Sequence, residues 1–296
     1  MVSFKAYIGR CRRALRPSLR LAFPLVLGLL CAAPVVIAQE NPDTAPPVRL
    51  LFTVFGDCRP ETGIPVSSHF PRIVQNMAAE DPDFVLGLGD YVAGVPDLNV
   101  LNQQFTAFFQ ALLPLQQAHP TPMAFAPGNH DIIGSTAALR LYTQRFKRAY
   151  YSFDQEDCHF IILNSCEPGH EHAIEGAQWE WLNADLAANK DAQFIFVAVH
   201  DPLFPVAEHR GSSLDRYPPK RDALHSLFVQ YRVSCVFAGH EHVYHHERRD
   251  SVDYFISGGA GAPLGGSRTA AGFYHYLSVE VTDDQYAVHV KSVSAE

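Results

Sequence analysis

The stretch of sequence that decides the fold runs Val233-Ser234-Cys235-Val236-Phe237-Ala238-Gly239-His240-Glu241-His242. Its apolar first part is typical of a buried strand, and a polar loop comes directly after it. A His-x-His pair alone is ambiguous, because histidine is the commonest metal ligand and also an ordinary polar residue. The meaning of this loop therefore depends on the loops at the ends of the other strands.

Four more apolar runs end in polar loops of the same kind. They are Leu50–Phe55 before Gly56-Asp57-Cys58-Arg59, Asp83–Leu88 before Gly89-Asp90-Tyr91, Met123–Ala126 before Pro127-Gly128-Asn129-His130-Asp131, and Phe194–Val199 before His200-Asp201-Pro202. Each loop by itself is most simply a turn or a helix cap. Together they predict one site, because open α/β sheets bind ligands beyond the carboxyl ends of their strands.

The rest of the chain predicts an α/β domain. Amphipathic stretches indicate helices over 70–79, 101–113, 136–149, 179–188 and 222–231, and apolar runs indicate further strands over 150–153, 159–164, 252–257, 274–281 and 286–293. Strands that alternate with helices and then end in a strand-rich part are typical of layered sheets. We interpret residues 49–296 as one domain.

The side chains in the five loops indicate a metal centre. Carboxylate oxygens, an amide oxygen and imidazole nitrogens suit Mn²⁺, Fe or Zn²⁺, and no cluster of thiolates points to a structural zinc. The candidate ligands are too many for one metal ion and fit two ions that share a carboxylate.

These motifs resemble the calcineurin-like metallophosphoesterase superfamily, and in particular the bacterial single-domain relatives of purple acid phosphatases. The resemblance covers about residues 50–265 with all five loops in order. Supporting segments are Tyr150–Phe153, Gln178-Trp179 with Trp181-Leu182, and Ser257–Leu264. It implies a double β-sandwich flanked by helices, which is a four-layer αββα fold.

The resemblance also implies a role for each loop. The implied metal ligands are Asp90 between both ions, Asp57 and His242 on the first, and Asn129, His200 and His240 on the second. His130, braced by Asp131, would donate a hydrogen bond or a proton to the phosphate or the leaving oxygen. Two cations ~3.5–4 Å apart make a bridging water the nucleophile and stabilise the entering and leaving oxygens.

The first metal site departs from the family pattern. Most members have a His where this chain has Arg59, and purple acid phosphatases have a Tyr where it has Ala93; the nearby Tyr91 would point elsewhere. A guanidinium stays protonated and cannot bind a metal. Either Arg59 grips substrate phosphate with its fork of donors, or the first site is too weak to fill. Beyond the last loop, His245 and His246 are expected to be surface or outer residues of the site, not ligands.

The N-terminus predicts export. A basic stretch from Lys5 to Arg20 precedes an apolar run, Leu21–Ala38, that ends in small or modest side chains. This order is typical of a secretory signal peptide, residues 1–38, followed by an extended leader, 39–48. The location would be periplasmic or secreted. A retained membrane anchor is the alternative, although Pro24 and Pro34 interrupt the apolar run.

Removal of the signal changes the charge balance. It leaves 17 of the 23 Lys and Arg against 31 Asp and Glu, so the net charge falls from −8 to −14. So acidic a chain is a poor partner for nucleic acid, because such binding depends on neutralising phosphates. An anionic small-molecule substrate would need local positive charge, which bound cations supply.

Four cysteines follow the signal: Cys58, Cys158, Cys166 and Cys235. Cys158 and Cys166 flank a predicted strand whose ends lie roughly 26 Å apart at ~3.3 Å per residue, too far for a disulfide. Four free, buried thiols are the simplest interpretation, and any other pairing is open.

We therefore expect an exported phosphomonoesterase or phosphodiesterase that acts on phosphorylated small molecules. A non-catalytic or one-metal binding protein and a nucleotide-linked pyrophosphatase are the alternatives. The sequence leaves the natural substrate, the metal and the oligomeric state open.

Overall fold

The structure, a computed structural model, describes residues 7–10, 47–61, 65–117, 121–266 and 272–294. The predicted signal peptide lies outside the described residues except for Tyr7–Arg10, and so does the predicted leader except for its last two residues. Tyr7–Arg10 forms a strand, β1, that pairs antiparallel with residues 285–288. The signal peptide and its removal stay predictions.

The described strands and helices alternate through most of the chain. In order they are β2 (Leu50–Phe55), α1 (Phe70–Ala79), β3 (Phe84–Gly87), α2 (Leu98–Ala111), β4 (Met123–Phe125), α3 (Asn129–Ile132), α4 (Thr136–Phe146), β5 (Tyr151–Gln155), β6 (Cys158–Ile162), α5 (Gly176–Ala188), β7 (Phe194–Val199), α6 (Pro218–Gln230), β8 (Cys235–Ala238), β9 (Tyr244–Arg249), β10 (Val252–Ser257), β11 (His275–Val281) and β12 (Gln285–Ser292). Short 3-10 turns cover Leu113–Gln116 and Leu214–Arg216.

Two sheets of six strands each organise these elements. The first has the order β1-β12-β11-β2-β3-β4, and the second has the order β5-β6-β7-β8-β10-β9. Strands β2, β3 and β4 are parallel, as are β6, β7, β8 and β10. Parallel neighbours place their carboxyl ends at one edge, so the loops after β2, β3, β4, β7 and β8 can meet.

An aromatic core joins the two sheets face to face. Phe52 on β2 stacks on Phe84 of the same sheet with ring centroids 4.9 Å apart. It also meets Phe160 and Phe196 of the second sheet edge-on, at 5.3 and 5.4 Å. Edge-to-face contacts at these distances add to the hydrophobic gain of burial. The result is a β-sandwich with its main core between the sheets.

Helices cover the two outer faces. Buried side chains of α1, α2 and α4 pack with Phe55, Val85 and Phe125 on the outside of the first sheet. Those of α5 and α6 pack with Ile161, Val197 and Val236 on the outside of the second. The predicted four-layer αββα fold is confirmed.

Most element predictions hold to within a few residues. The central strands are buried along nearly their whole length because each sheet is covered on both faces, which explains their continuous apolar runs. The strand β9 was not predicted. Its His246 is partly buried, with Nε2 2.9 Å from Asp253 Oδ1. The interpretation of His245 and His246 as surface or outer residues of the site stays a prediction.

Two further findings bear on the sequence interpretation. All four cysteines of the described part are free and buried, as expected. None of the described helices has both the length and the apolarity to cross a membrane.

Candidate metal centre

The five polar loops meet at the carboxyl edge of both sheets. The Asp57 amide donates to the Gly89 carbonyl at 3.0 Å, which joins the loops after β2 and β3. The His240 amide donates to Asp57 Oδ2 at 2.9 Å, which joins the two sheets. His200 Nε2 lies 3.4 Å from Asp90 Oδ1. The structure therefore brings the predicted loops together.

Three of the predicted ligands have a left-handed backbone. Asp57, Asp90 and His240 have φ values of 59°, 56° and 67°. Each such residue other than glycine costs on the order of 1–3 kcal/mol, and such strain is typically found at functional sites. Each of the three residues lies two or three positions beyond the last residue of its strand, in the loop that reaches the centre.

Two glycines allow the loops to approach this closely. A Cβ at Gly128 would lie 2.3 Å from the Asp90 amide nitrogen, and one at Gly239 would lie 2.4 Å from Asp57 Oδ2. Any larger residue at either position would push a predicted ligand away.

The predicted ligands of the second ion surround His200 Nε2. Asn129 Oδ1 lies 2.9 Å from this nitrogen and His240 Nδ1 lies 3.1 Å from it. Two ligand atoms bound at right angles to one cation, with bonds of ~2.1 Å, are ~3 Å apart. The spacing of the three side chains fits a shared cation.

The predicted ligands of the first ion are fewer. His242 Nε2 lies 3.5 Å from Asp57 Oδ1. Among the described residues, one group of possible ligand atoms within 4.8 Å of one another comprises Asp57, Asp90 and His200, and another comprises His200, Asp201 and His240. His242 belongs to neither group, and His200, a predicted ligand of the second ion, lies close to both carboxylates of the first. The division of ligands between the two ions therefore stays a prediction.

Backbone carbonyls fix the orientation of each of these histidines. His200 Nδ1 lies 2.8 Å from Leu88 O, His240 Nε2 lies 3.1 Å from Ser212 O, and His242 Nδ1 lies 2.5 Å from Pro263 O. A carbonyl oxygen can only accept, so these ring nitrogens carry the protons. The opposite nitrogen of each ring faces the centre with a lone pair, which is the usual arrangement of metal-binding histidines.

The contact between His200 and His240 needs either a proton or a metal ion between the two rings. With those tautomers, both facing nitrogens carry lone pairs at 3.1 Å. Burial lowers the pKa of His200, but the carboxylates of Asp90, Asp57 and Asp201 outweigh burial and raise it to about 9. Burial lowers the pKa of His240 well below its ordinary value. A proton is therefore attracted to the position where a metal ion would bind.

Asp131 does not brace His130, contrary to the expectation. Its carboxylate accepts from the backbone amides of Asp90, Tyr91 and Gly128 at 2.8–3.0 Å. Asp131 therefore holds the loops after β3 and β4 together. His130 is oriented instead by the Ala93 carbonyl, 2.5 Å from its Nδ1. The sequence gives no sign of this partner, because a backbone acceptor carries no side-chain signature.

Arg59 lies beside the predicted bridging carboxylate. Its Nε is 3.7 Å from Asp90 Oδ2, too long for a hydrogen bond, and has no hydrogen-bond partner among the described residues. Tyr91 points elsewhere, as expected, and its hydroxyl donates to the Ala126 carbonyl at 2.7 Å.

Sequence reasoning missed two carboxylates at this centre. Asp201 is fully buried next to His200 and belongs to the second group of possible ligands. Glu241, between the two histidines of the Gly-His-Glu-His loop, accepts from the amides of Val206 and Ala207 at 2.7 and 2.6 Å. Both carboxylates could have been suspected from the sequence, because Asp201 directly follows His200 and Glu241 lies between His240 and His242.

The segment 202–221 meets the centre only in part. The His209 ring packs on His240 with centroids 3.9 Å apart. Lys220 and Arg221, at its end, form ion pairs with Glu175 and Asp222.

Comparisons with known proteins identify the family of this chain. The family model described as calcineurin-like phosphoesterase matches residues 50–244, well over half of the chain. The chain belongs to the calcineurin-like phosphoesterase family. This family is the one that the five loops resemble.

Individual relatives of this phosphoesterase domain are purple acid phosphatases and similar proteins. The phosphoenolpyruvate phosphatase of Allium cepa is 30% identical over 164 residues, which are 48% of this chain and 32% of the onion protein. The tartrate-resistant acid phosphatase type 5 of Rattus norvegicus is 26% identical over 251 residues, which are 73% of each protein. The chain thus spans only about a third of the onion relative that it matches.

A solved structure supports the fold. Purple acid phosphatase PPD1 from yellow lupin (Lupinus luteus) seeds superposes with a TM-score of 0.66 at 17% identity. The match covers 82% of this chain and 51% of the lupin chain. At this identity the likeness concerns the arrangement of helices and strands.

Proposed function

We propose that this chain is an exported, metal-dependent phosphoesterase that hydrolyses a phosphomonoester or a phosphodiester. The observation that carries the proposal is the orientation of three histidines, His200, His240 and His242. One ring nitrogen of each donates to a backbone carbonyl, and the other ring nitrogen points toward the centre. Membership of the calcineurin-like phosphoesterase family supports the same reaction class.

Two cations fit the donor set of the centre. Asp57, Asp90 and His242 would hold the first, and Asn129, His200 and His240 would hold the second, with Asp90 shared. When bound, such ions lower the pKa of water and neutralise phosphate oxygens. The choice among Mn, Fe and Zn is left to metal analysis.

His130 is the residue best placed to handle the leaving group. Its side chain is 32% exposed, and its Nε2 lies 3.9 Å from Asp90 Oδ2 at the rim of the centre. The carbonyl of Ala93 fixes Nδ1 as a donor, so a protonated ring presents a second N–H from Nε2. Water attack at phosphorus breaks the bond to the leaving oxygen, which would receive the Nε2 proton.

Arg59 would bind the substrate phosphate. Its side chain is 24% exposed and its Nε has no hydrogen-bond partner among the described residues. An unused guanidinium donor beside a phosphate site suits charge-assisted binding of an anion. It also supplies local positive charge in an acidic chain.

Hydrolysis of two aryl esters tests the proposal. Purified protein is loaded with Mn²⁺ and incubated with an aryl phosphate and, separately, an aryl phosphodiester. We expect turnover of at least one. Protein that holds two metal ions and hydrolyses neither ester would refute the phosphoesterase proposal.

Site variants locate the activity. Asn129→Ala and His240→Ala should each abolish turnover, because each removes a ligand from the second ion. Asp185→Asn is the matched control, because Asp185 Oδ2 lies 2.8 Å from His159 Nε2 in a partly buried pair that belongs to none of the five loops. Full activity in both Ala variants would mean that the site is elsewhere.

A second candidate is a protein that binds metal or phosphate without turnover. The observation in its favour is the position of Arg59, whose charge lies 3.7 Å from Asp90 Oδ2 and opposes a cation there. Metal analysis separates the two, since this candidate predicts one ion per chain and no hydrolysis. A nucleotide-linked pyrophosphatase would show turnover of a dinucleoside diphosphate in preference to both aryl esters.

Export is tested separately. The full-length chain, expressed in a bacterial host, should yield a periplasmic or secreted protein whose N-terminus follows Ala38. A membrane-bound product that keeps its first residues would favour the anchor.

A further inference from the structure

Asp201 is a buried carboxylate with one oxygen in use and one free. Its side chain is fully buried, and its Oδ2 accepts from His172 Nδ1 at 2.7 Å. Its Oδ1 has no hydrogen-bond partner in the part of the chain that the structure describes. That oxygen lies 4.0 Å from His240 Nδ1, the nitrogen that faces the centre.

The surrounding backbone holds Asp201 and His172 in this arrangement. Ser165 accepts from the Asp201 amide through its Oγ at 3.1 Å, and its carbonyl accepts from the His172 amide at 2.8 Å. His172 has a left-handed backbone with φ of 62°, which costs free energy in a residue other than glycine. These two hydrogen bonds hold both residues of the pair to Ser165.

A free carboxylate oxygen in a buried site needs a compensating group. A buried acceptor left without a hydrogen bond costs about 1–3 kcal/mol. Ligand atoms of Asp201, His200 and His240 all lie within 4.8 Å of one another. Two atoms on one cation with ~2.1 Å bonds are between ~3.0 and ~4.2 Å apart, depending on the angle. The separation of 4.0 Å from His240 Nδ1 lies within this range.

The charge of the second site points to the same conclusion. Its predicted ligands, Asn129, His200 and His240, are neutral when they bind a metal, and Asp90 is shared with the first ion. A divalent or trivalent cation favours carboxylate oxygen. Asp201 can supply a further negative charge there, because its ligand atom lies within 4.8 Å of those of His200 and His240.

We propose that Asp201 Oδ1 is a further oxygen ligand of the second cation, and that His172 is the positioning residue that turns Oδ1 toward it. This inference rests on the metal centre of the proposed function and does not require turnover. It gives the second ion four protein ligands besides the shared Asp90.

Metal binding by variants tests the proposal. Titration with Mn²⁺ and elemental analysis are applied to the full chain, Asp201→Asn, His172→Gln and the control Asp185→Asn. Loss of groups that hold or orient a metal typically costs 10–100-fold in affinity. We expect Asp201→Asn to weaken one of the two ions at least tenfold, His172→Gln to weaken the same ion less, and Asp185→Asn to change neither.

Two further measurements identify the ion and guard against misfolding. Adding Asp201→Asn to a His242→Ala background should still weaken the remaining ion, because that ion occupies the second site. In crystals of the unmodified protein soaked with Mn²⁺, anomalous scattering should place the second ion ~2.2 Å from Asp201 Oδ1.

The outcomes separate this inference from the phosphoesterase proposal. Three results would each overturn the role of Asp201. They are wild-type affinity for both ions in Asp201→Asn, a second ion more than ~3 Å from Asp201 Oδ1 in the crystals, and no metal binding by the full chain. Two tightly bound ions that depend on Asp201, without hydrolysis of any ester, would uphold this role and refute the proposed function.

Discussion

Replacing Arg59 with Met tests how the substrate phosphate is held. Methionine keeps most of the length of the side chain but removes its charge and its donors. In the structure Arg59 Nε is 3.7 Å from Asp90 Oδ2 and has no hydrogen-bond partner among the described residues. A phosphate bound there would gain a hydrogen bond without breaking another within the described protein.

The expected loss of phosphate affinity follows from one hydrogen bond between Arg59 and the phosphate. A hydrogen bond to a charged group contributes about 1.5–3 kcal/mol, and each ~1.4 kcal/mol is tenfold in affinity. Because the Arg59 side chain is 24% exposed, water weakens the interaction. We therefore take the lower end and expect KM, and the inhibition constant of inorganic phosphate, to rise about tenfold.

Steady-state kinetics with an aryl phosphate, at saturating Mn²⁺, measures both constants. kcat should change less than KM if Arg59 binds substrate and transition state about equally. Arg59→His adds a possible metal ligand, so it should raise the affinity of the first ion beyond that of Arg59→Met. An unchanged KM and an unchanged phosphate inhibition constant in Arg59→Met would refute phosphate binding by Arg59.

Three other predictions concern the scaffold. Glu241→Gln should speed amide hydrogen exchange in the loop 205–209 about tenfold or more, because it removes charged hydrogen bonds worth about 1.5–3 kcal/mol. Unchanged exchange rates would show that the loop does not depend on the Glu241 carboxylate. Burial lowers the pKa of His159, but hydrogen bonds to Asp185 and Asp154 outweigh it and raise the pKa above 6.5. This pair therefore stabilises the fold fully below about pH 6.5, and less as pH rises through the raised pKa of His159. In chemical unfolding experiments, the free energy of unfolding of Asp185→Asn should depend less on pH than that of the wild type. The same pH dependence in both proteins would contradict this. Phe52→Ala should lower the free energy of unfolding by about 3–5 kcal/mol in denaturant titrations, and a loss under ~1 kcal/mol would mean that the inter-sheet core tolerates a cavity.

Much of the fold was accessible from the sequence because its signals are local. Helix α1 and strands β7 and β10 were predicted to the residue, since apolar runs of strand length and helical spacing need no knowledge of partners. Strand β9 was missed because its run, Tyr244–Arg249, is polar and is stabilised as an edge strand by pairing with β10.

The sequence by itself determined which kinds of side chain lie at the end of each strand, and hence that a metal-binding centre was to be expected. Only the tertiary structure decided how those side chains are aimed. The Ala93 and Leu88 carbonyls that orient His130 and His200 lie 37 and 112 residues away from them. Asp131 joins two loops, and Asp201 Oδ1 lies near the centre. The sequence does not specify these roles, because a carboxylate binds whichever donors or cations the fold places around it.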